Sequence, residues 1–323
     1  MKAYHDIVRE VLDTGTRKEN RTGVDTISTF HHSYEIDLAG GFPLLTTKQI
    51  SWKNIVVELL WFLSGKPDIS FLQKHGCKFW DAWCDAAGEV PSAYGNFWRH
   101  FPVHEITSVR GDGKVLGKEP GFNDQIRWVV DELKKNPMSR RLVVSAWAPG
   151  NAQTSKLPPC HMQFILNVQT ADRWQPADTI PRAIAGEVDV ERWQRLCLHM
   201  TQRSCDVALG VPYNIASYAL LLHLFARFAK IEPGIFAHTL VDAHIYTKKP
   251  DGTLAEYDHI PGLKEQIGRA PRPLPRLVID PSIRDLADIE TLIRSDTSTE
   301  ELMGMFRLEG YDPHPPISFK VAV

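Results

Sequence analysis

The chain has 323 residues, 43% hydrophobic and 24% charged, with a formal net charge of −2. That composition supports a sizeable globular core, and without a Lys/Arg block it does not suit a general nucleic-acid or membrane-surface binder. Five cysteines (Cys77, Cys84, Cys160, Cys197, Cys205) with no C-x-x-C pair do not make a disulfide framework, so a reducing cytoplasm is the expected setting.

Residues 3–14 place Tyr4, Ile7, Val8, Val11 and Leu12 at helical spacing, and the segment lacks a signal-peptide core. Ile27 to Ile36 alternates as a strand. A helix is expected over 52–64; its apolar run from Ile55 to Leu63 is interrupted by Glu58 and falls short of the ~18 residues of a membrane span. Residues 102–122, charged and Gly-rich, read as a surface excursion. Helical periodicity returns over 124–135, with Ile126, Val129, Val130 and Leu133 on one face. Period-two runs follow at 142–147, 161–168 and 196–207, with a second excursion at 170–194 containing Pro176 and Pro181. A helix is expected over 214–230, and an acidic third excursion at 283–304 is expected to hold a short helix. The tail EGYDPHPPISFKVAV is Pro-rich, then apolar, which favours docking over disorder. No repeat or low-complexity linker divides the chain, so one domain over 1–323 is expected. Helices and strands mix without strict βαβ alternation, which predicts α+β with a mixed or antiparallel sheet.

Cys160 stands in LPPCHM, where two prolines stiffen the approach to a strand. Such a cysteine is either a small buried hydrophobe or a nucleophile, and a nucleophile needs cations that favour the thiolate. Arg140-Arg141 and Arg203 could supply them. Neighbours on a strand face opposite ways, so at most one of Arg140 and Arg141 reaches a given ligand unless a partner chain is involved; plain solvation is the alternative. In Gln202-Arg203-Ser204 a guanidinium fork beside a hydroxyl suits a phosphate, unless Asp206 pairs with Arg203. Glu58, among Val56, Val57, Leu59, Leu60 and Trp61, is either a helix-edge carboxylate or a buried acid able to relay a proton. Trp80 and Trp83 either fill the core or wall in a heterocycle. Asn214 is expected to open its helix as an N-cap, and its amide also matches the O4 and N3–H edge of uracil.

Metal binding is not expected, because His31-His32 and the set Cys197, His199, Cys205 miss zinc spacings. Dinucleotide and triphosphate loops are missing as well. Two other classes fit the residues less well. A cysteine hydrolase would need His161 as base, but adjacent strand residues face apart. A non-catalytic nucleotide binder has no use for Cys160, Glu58 and Asn214 together.

Matches spread in one order along nearly the whole chain give a specific resemblance. RTG at Arg21 to Gly23, FPLLTTK at Phe42 to Lys48, ELLWFLSG from Glu58, FWDAW, Tyr94-Gly95 and SRR ending at Arg141 come first. LPPCH, QRSCDVALGVPYNIASYALL, DAHIY, PRPLP and EGYDPHP follow. This set resembles the thymidylate synthase family. The resemblance implies a mixed sheet covered by helices, with one sheet face forming a homodimer interface. It also implies that Cys160 adds to dUMP so that 5,10-methylenetetrahydrofolate can deliver a one-carbon unit to C5, with Glu58, Tyr94 and Asn214 assisting. It places the phosphate among Arg21, Arg203 and Ser204, with Arg140 and Arg141 lent across the dimer and Gln202 among the substrate-binding residues. Asp206 and Asn214 contact the nucleotide, Asn214 selects uracil, and His244 and Tyr246 hold the ribose. Lys48, Trp80, Trp83, Asp206, Gly210 and Ala322 fall on the folate side.

The chain departs from the family pattern at Ser92-Ala93, Phe97, Ala148, Ile165, Val241 and in the tail from Ile317 to Val323. Read as changes near the exocyclic carbon and in the lid, these departures lead to water capture and 5-hydroxymethyl-dUMP, a precursor of modified viral DNA. Hydride transfer giving dTMP and dihydrofolate is the alternative.

Overall fold

The computed structural model describes residues 1–109, 115–152, 155–170 and 194–322, with side chains described outside 104–120 and 151–154. Val323 and nearly all of the 170–194 excursion therefore lie outside the described residues.

Helix α1 (Lys2–Thr14) leads through β1 (Thr16–Lys18) into the long strand β2 (Asp25–Asp37). Ser51 caps α2 (Trp52–Ser64) by accepting from Asn54 N–H, and Gly65 ends it at φ +72°, a conformation that favours glycine. Short helices α3 (Ser70–Lys74) and α4 (Tyr94–Arg99) follow. A Cβ at Gly95 would collide with the Phe62 carbonyl, so glycine is what lets α4 lie directly against α2.

The 102–122 excursion is organised as an antiparallel pair, β3 (Phe101–Val109) with β4 (Val115–Asn123). Helix α5 (Gln125–Lys135), capped by Asp124, precedes β5 (Val143–Ser145) and the short α6 (Pro149–Ala152). Then come β6 (His161–Thr170), β7 (Gln194–Gln202), β8 (Cys205–Asp206), α7 (Gly210–Ala229) and β9 (Glu232–Thr247). The strands build one mixed sheet in the order β1-β2-β9-β7-β6-β5, with β8 also on β9. β7 and β8 run parallel to β9, and the other pairings are antiparallel. A fold of the expected α+β class with a mixed sheet results.

One sheet face is apolar. Phe164, Leu166, Leu198, Met200, Phe236 and Leu240 are buried there, and α7 packs against β7 and β9. On the opposite face Gln163, Ile165, Cys197, His199, Thr201, Ala237 and Thr239 are only part-buried.

Two expectations need correction. Helix α7 begins at Gly210, so Asn214 lies inside it and is not its N-cap; Pro212 sits in the first turn, where no helical N–H bond is lost. The 283–304 stretch holds two helices, α9 (Leu286–Arg294) and α10 (Thr299–Met305), each with a capping box. It is no mere surface excursion, because Ile283, Leu286, Ile289, Leu292 and Leu302 are buried and α9 packs on α2. Helix α8 (Ile260–Gly268) and the pair β10 (Arg276–Ile279) with β11 (Phe306–Glu309) complete the chain.

Candidate active site

Cys160 lies on the bend just before β6, and its position is set by the backbone around it. The Arg203 side chain donates to the carbonyls of Pro159 (3.0 Å) and Pro158 (2.8 Å), and the Arg203 N–H donates to the Cys160 carbonyl (2.9 Å). Tyr94, at the start of α4, accepts from the N–H groups of Cys160 (3.0 Å) and His161 (3.4 Å). The thiol is thus clamped between a strand end and a helix start. It opens into a cavity of about 490 Å³.

That cavity gathers most of the candidates. Arg21, Glu58, Trp80, Trp83, Tyr94, Cys160, Gln202, Arg203, Ser204, Asp206, Gly210, Asn214, His244, Tyr246 and Ala322 all line it. Register explains part of this convergence: Asp206 on β8 sits opposite His244 on β9, two residues before Tyr246. Tail residue Ala322 reaches the rim because the tail is tied down. His259 contacts the Lys320 carbonyl at 2.9 Å, and Phe319 packs against His259 and under the Lys48 ammonium.

Three candidates lie elsewhere. Lys48 is buried and donates to the Ala208 carbonyl at 2.6 Å, anchoring the entry to α7; burial lowers its pKa to about 8. Arg140 and Arg141 are exposed and do not line the cavity. They sit on the turn before β5, so the rule that strand neighbours face apart does not govern them.

The electrostatics sort the groups by role. Glu58 accepts from the Trp80 indole N–H at 2.7 Å. Burial raises its pKa to about 7, and that hydrogen bond only partly offsets the shift. An acid poised near neutrality can both give and take a proton. Cys160 departs from the expectation of a cation-activated thiolate. Burial raises its pKa, and this outweighs the opposing pull of Arg203, whose Nη2 stands 4.0 Å from Sγ, and of Tyr94, Arg21 and Ser204. The thiol form therefore prevails at neutral pH, and the proton has to leave as the nucleophile is used.

Asp206 does not pair with Arg203. Its carboxylate caps the turn into α7, accepting from Ala208 N–H (2.9 Å) and Leu209 N–H (3.0 Å). Arg203 stacks over Trp147 instead, 5.4 Å from the ring centroid. His161 also departs from expectation, for it lines the same cavity as Cys160. Alternation does not separate them because Cys160 precedes the strand. Burial drops the His161 pKa to about 4, which makes it a poor general base, and it stacks on Tyr94 at 4.5 Å. Phe62, Leu157 and Pro158 add an apolar wall that the motifs did not single out. A smaller polar recess of about 210 Å³ opens beside Arg21 and Ser204 and brings in Lys18 and Asn20. Among the described residues no group of three or more His, Cys, Asp or Glu could hold a metal ion, and no helix is long and apolar enough to cross a membrane.

The thymidylate synthase family model matches residues 2–323. The chain is 39% identical to the thymidylate synthase of Haloferax volcanii, across 98% of this chain and 95% of that protein.

Proposed function

The chain belongs to the thymidylate synthase family, a one-carbon transferase acting on dUMP with 5,10-methylenetetrahydrofolate as co-substrate, and on that premise we propose that its product is dTMP, with dihydrofolate released. One observation carries this choice over hydroxymethylation. Among the described residues, the departures at Ser92, Ala93, Phe97, Ala148, Ile165 and Val241 do not line the cavity that holds Cys160. Ser92 and Phe97 wall a separate recess of about 270 Å³ that shares only Trp83 with it. The wall around the reacting carbon keeps the family residues, and its apolar side (Phe62, Trp80, Trp83, Leu157) disfavours a water poised to compete with hydride.

In this reading the 1–323 chain is one catalytic domain. Cys160 sulfur adds to C6 of the uracil ring, leaving an enolate that attacks the methylene carbon of the folate from C5. Asn214 reads the pyrimidine edge, while Glu58 and Tyr94 handle protons at O4 and C5. After the C5 proton leaves, the folate amine departs and an exocyclic methylene remains. Hydride from C6 of tetrahydrofolate reduces it, Cys160 is eliminated, and the folate leaves oxidised as dihydrofolate. Arg21, Arg203 and Ser204 hold the phosphate, joined by Arg140 and Arg141 from the other protomer of a homodimer, and Gln202 serves the substrate through Asn214. His244 and Tyr246 hold the ribose. Trp80, Trp83, Asp206, Gly210 and Ala322 contact the folate, and Lys48 supports that side by fixing the entry to α7.

The tail departures favour a second reading, 5-hydroxymethyl-dUMP, because the tail is what closes the rim. Mixing the protein with dUMP and methylenetetrahydrofolate decides between them. The expected result is dTMP and dihydrofolate in equal amounts, and a product heavier by one oxygen with tetrahydrofolate released would replace it.

A further inference from the structure

Asn214 is held by a run of polar groups reaching well behind the cavity. Its Oδ1 accepts from Gln202 Nε2 at 3.1 Å, and the same nitrogen donates to the Ser204 carbonyl at 3.0 Å. A carbonyl only accepts, so Ser204 settles which end of the Gln202 amide is nitrogen. The other end, Oε1, lies 3.1 Å from His238 Nε2. An amide oxygen also only accepts, so His238 carries a proton on Nε2. His238 is almost wholly buried, and burial holds its pKa well below the ordinary value, so the ring is neutral and Nδ1 is an acceptor. The Tyr34 hydroxyl stands 2.7 Å from that Nδ1 and donates to it. Tyr34 and His238 are direct partners across β2 and β9, so the run links β2, β9, β7 and α7. Every link has one permitted polarity.

We infer that Tyr34 and His238 are positioning residues for base selection: through Gln202 they lock the Asn214 amide in the orientation that accepts uracil and refuses cytosine. This rests on dUMP as the substrate. Uracil offers an acceptor at O4 and a donor at N3–H, whereas cytosine offers a donor at N4 and an acceptor at N3. Binding cytosine requires the Asn214 amide to turn over. The turned amide would set Nδ2 against Gln202 Nε2, donor against donor. Gln202 cannot turn to relieve this while His238 donates to its oxygen and Ser204 accepts from its nitrogen. Removing the Tyr34 hydroxyl frees the His238 tautomer, and removing the His238 ring frees Gln202.

The test is the ratio of dissociation constants for dCMP and dUMP, measured by calorimetry on the full chain. The unaltered protein is expected to favour dUMP by about a hundredfold or more, since a site built on hydrogen bonds rejects a mismatched edge strongly. Tyr34→Phe, which deletes a single oxygen, should shrink that ratio by about threefold to tenfold, and His238→Leu should shrink it further. A purely structural role would lower the melting temperature and leave the ratio unchanged. If the unaltered protein favours dUMP and folded Tyr34→Phe keeps the full ratio, the inference is overturned even if His238→Leu does not fold. If the unaltered protein binds dUMP and dCMP alike, the lock is likewise overturned. Failure of the unaltered protein to bind dUMP would overturn the substrate reading itself.

Discussion

Glu58 shows how one buried residue ties stability to chemistry. Burial raises its pKa from the ordinary 4.5 to about 7. Below about 4.5 the carboxyl is protonated in both folded and unfolded chains. As pH climbs from about 4.5 to 7 the unfolded chain releases this proton while the folded protein retains it, so folding stability falls across that window. Replacing the acid with an uncharged isostere removes the term. Glu58→Gln should therefore lose less stability than the unaltered protein between pH 5 and 8 in urea unfolding, while its kcat drops by about 10² to 10⁴. Parallel stability curves with normal turnover would contradict both roles. Much of this was legible in the sequence, because Glu58 interrupts an apolar run and Cys160 follows two prolines. What could not be read was the balance at Cys160, where burial outweighs Arg203, since that depends on how many apolar groups surround the thiol rather than on which cation is near.

At the scale of elements, the tail is the piece whose docking is most specifically built. Phe319 and Ile317 lie against α8 at Gly262, where a Cβ would come within 2.7 Å of the Phe319 ring and 3.0 Å of Ile317. Gly262→Val should displace the tail without touching the nucleotide residues. The expected result is faster proteolytic trimming after Tyr311, a raised KM for the folate and an unchanged dUMP affinity; normal folate kinetics would mean the tail has no part in closure. Docking of the tail could be anticipated from its apolar end, and helices with clean periodicity, such as Trp52–Ser64, match the expected bounds. The start of α7 could not be anticipated. Asn214 is a strong N-cap residue type, but Asp206, just upstream, and Lys48, distant in sequence, organise the turn and let the helix begin at Gly210. His161 was misplaced for a related reason, because alternation holds only inside a strand. The run from Tyr34 to Asn214 crosses four elements, and no local pattern marks it.

For the whole molecule, the part-buried sheet face and the exposed Arg140 and Arg141 belong to one proposal. Phe30 stands 83% exposed on β2, beside His31, which takes a positive φ where the β2–β9 pairing skips one residue on each strand without a change of register. An apolar residue so exposed on a long strand suits contact with a second copy. If Arg140 and Arg141 serve the partner's cavity, Cys160→Ser and Arg141→Ala should each be nearly inactive alone. Refolded together in equal amounts they should recover about a quarter of normal activity, because half of the dimers then carry one intact site. No recovery would mean that Arg141 does not serve the partner's cavity, and full activity of Arg141→Ala alone would place it outside the reaction. Spacing marked this pair without a destination, which came only from the family resemblance, since one chain does not reveal what its exposed residues meet in another.

The claim that Cys160 opens a reaction finished by hydride is tested most directly by following that hydrogen. Methylenetetrahydrofolate carrying deuterium at C6 is turned over with dUMP, and the nucleotide product is weighed. The expected product is dTMP with one deuterium in its methyl group. A 5-hydroxymethyl-dUMP free of deuterium would contradict it.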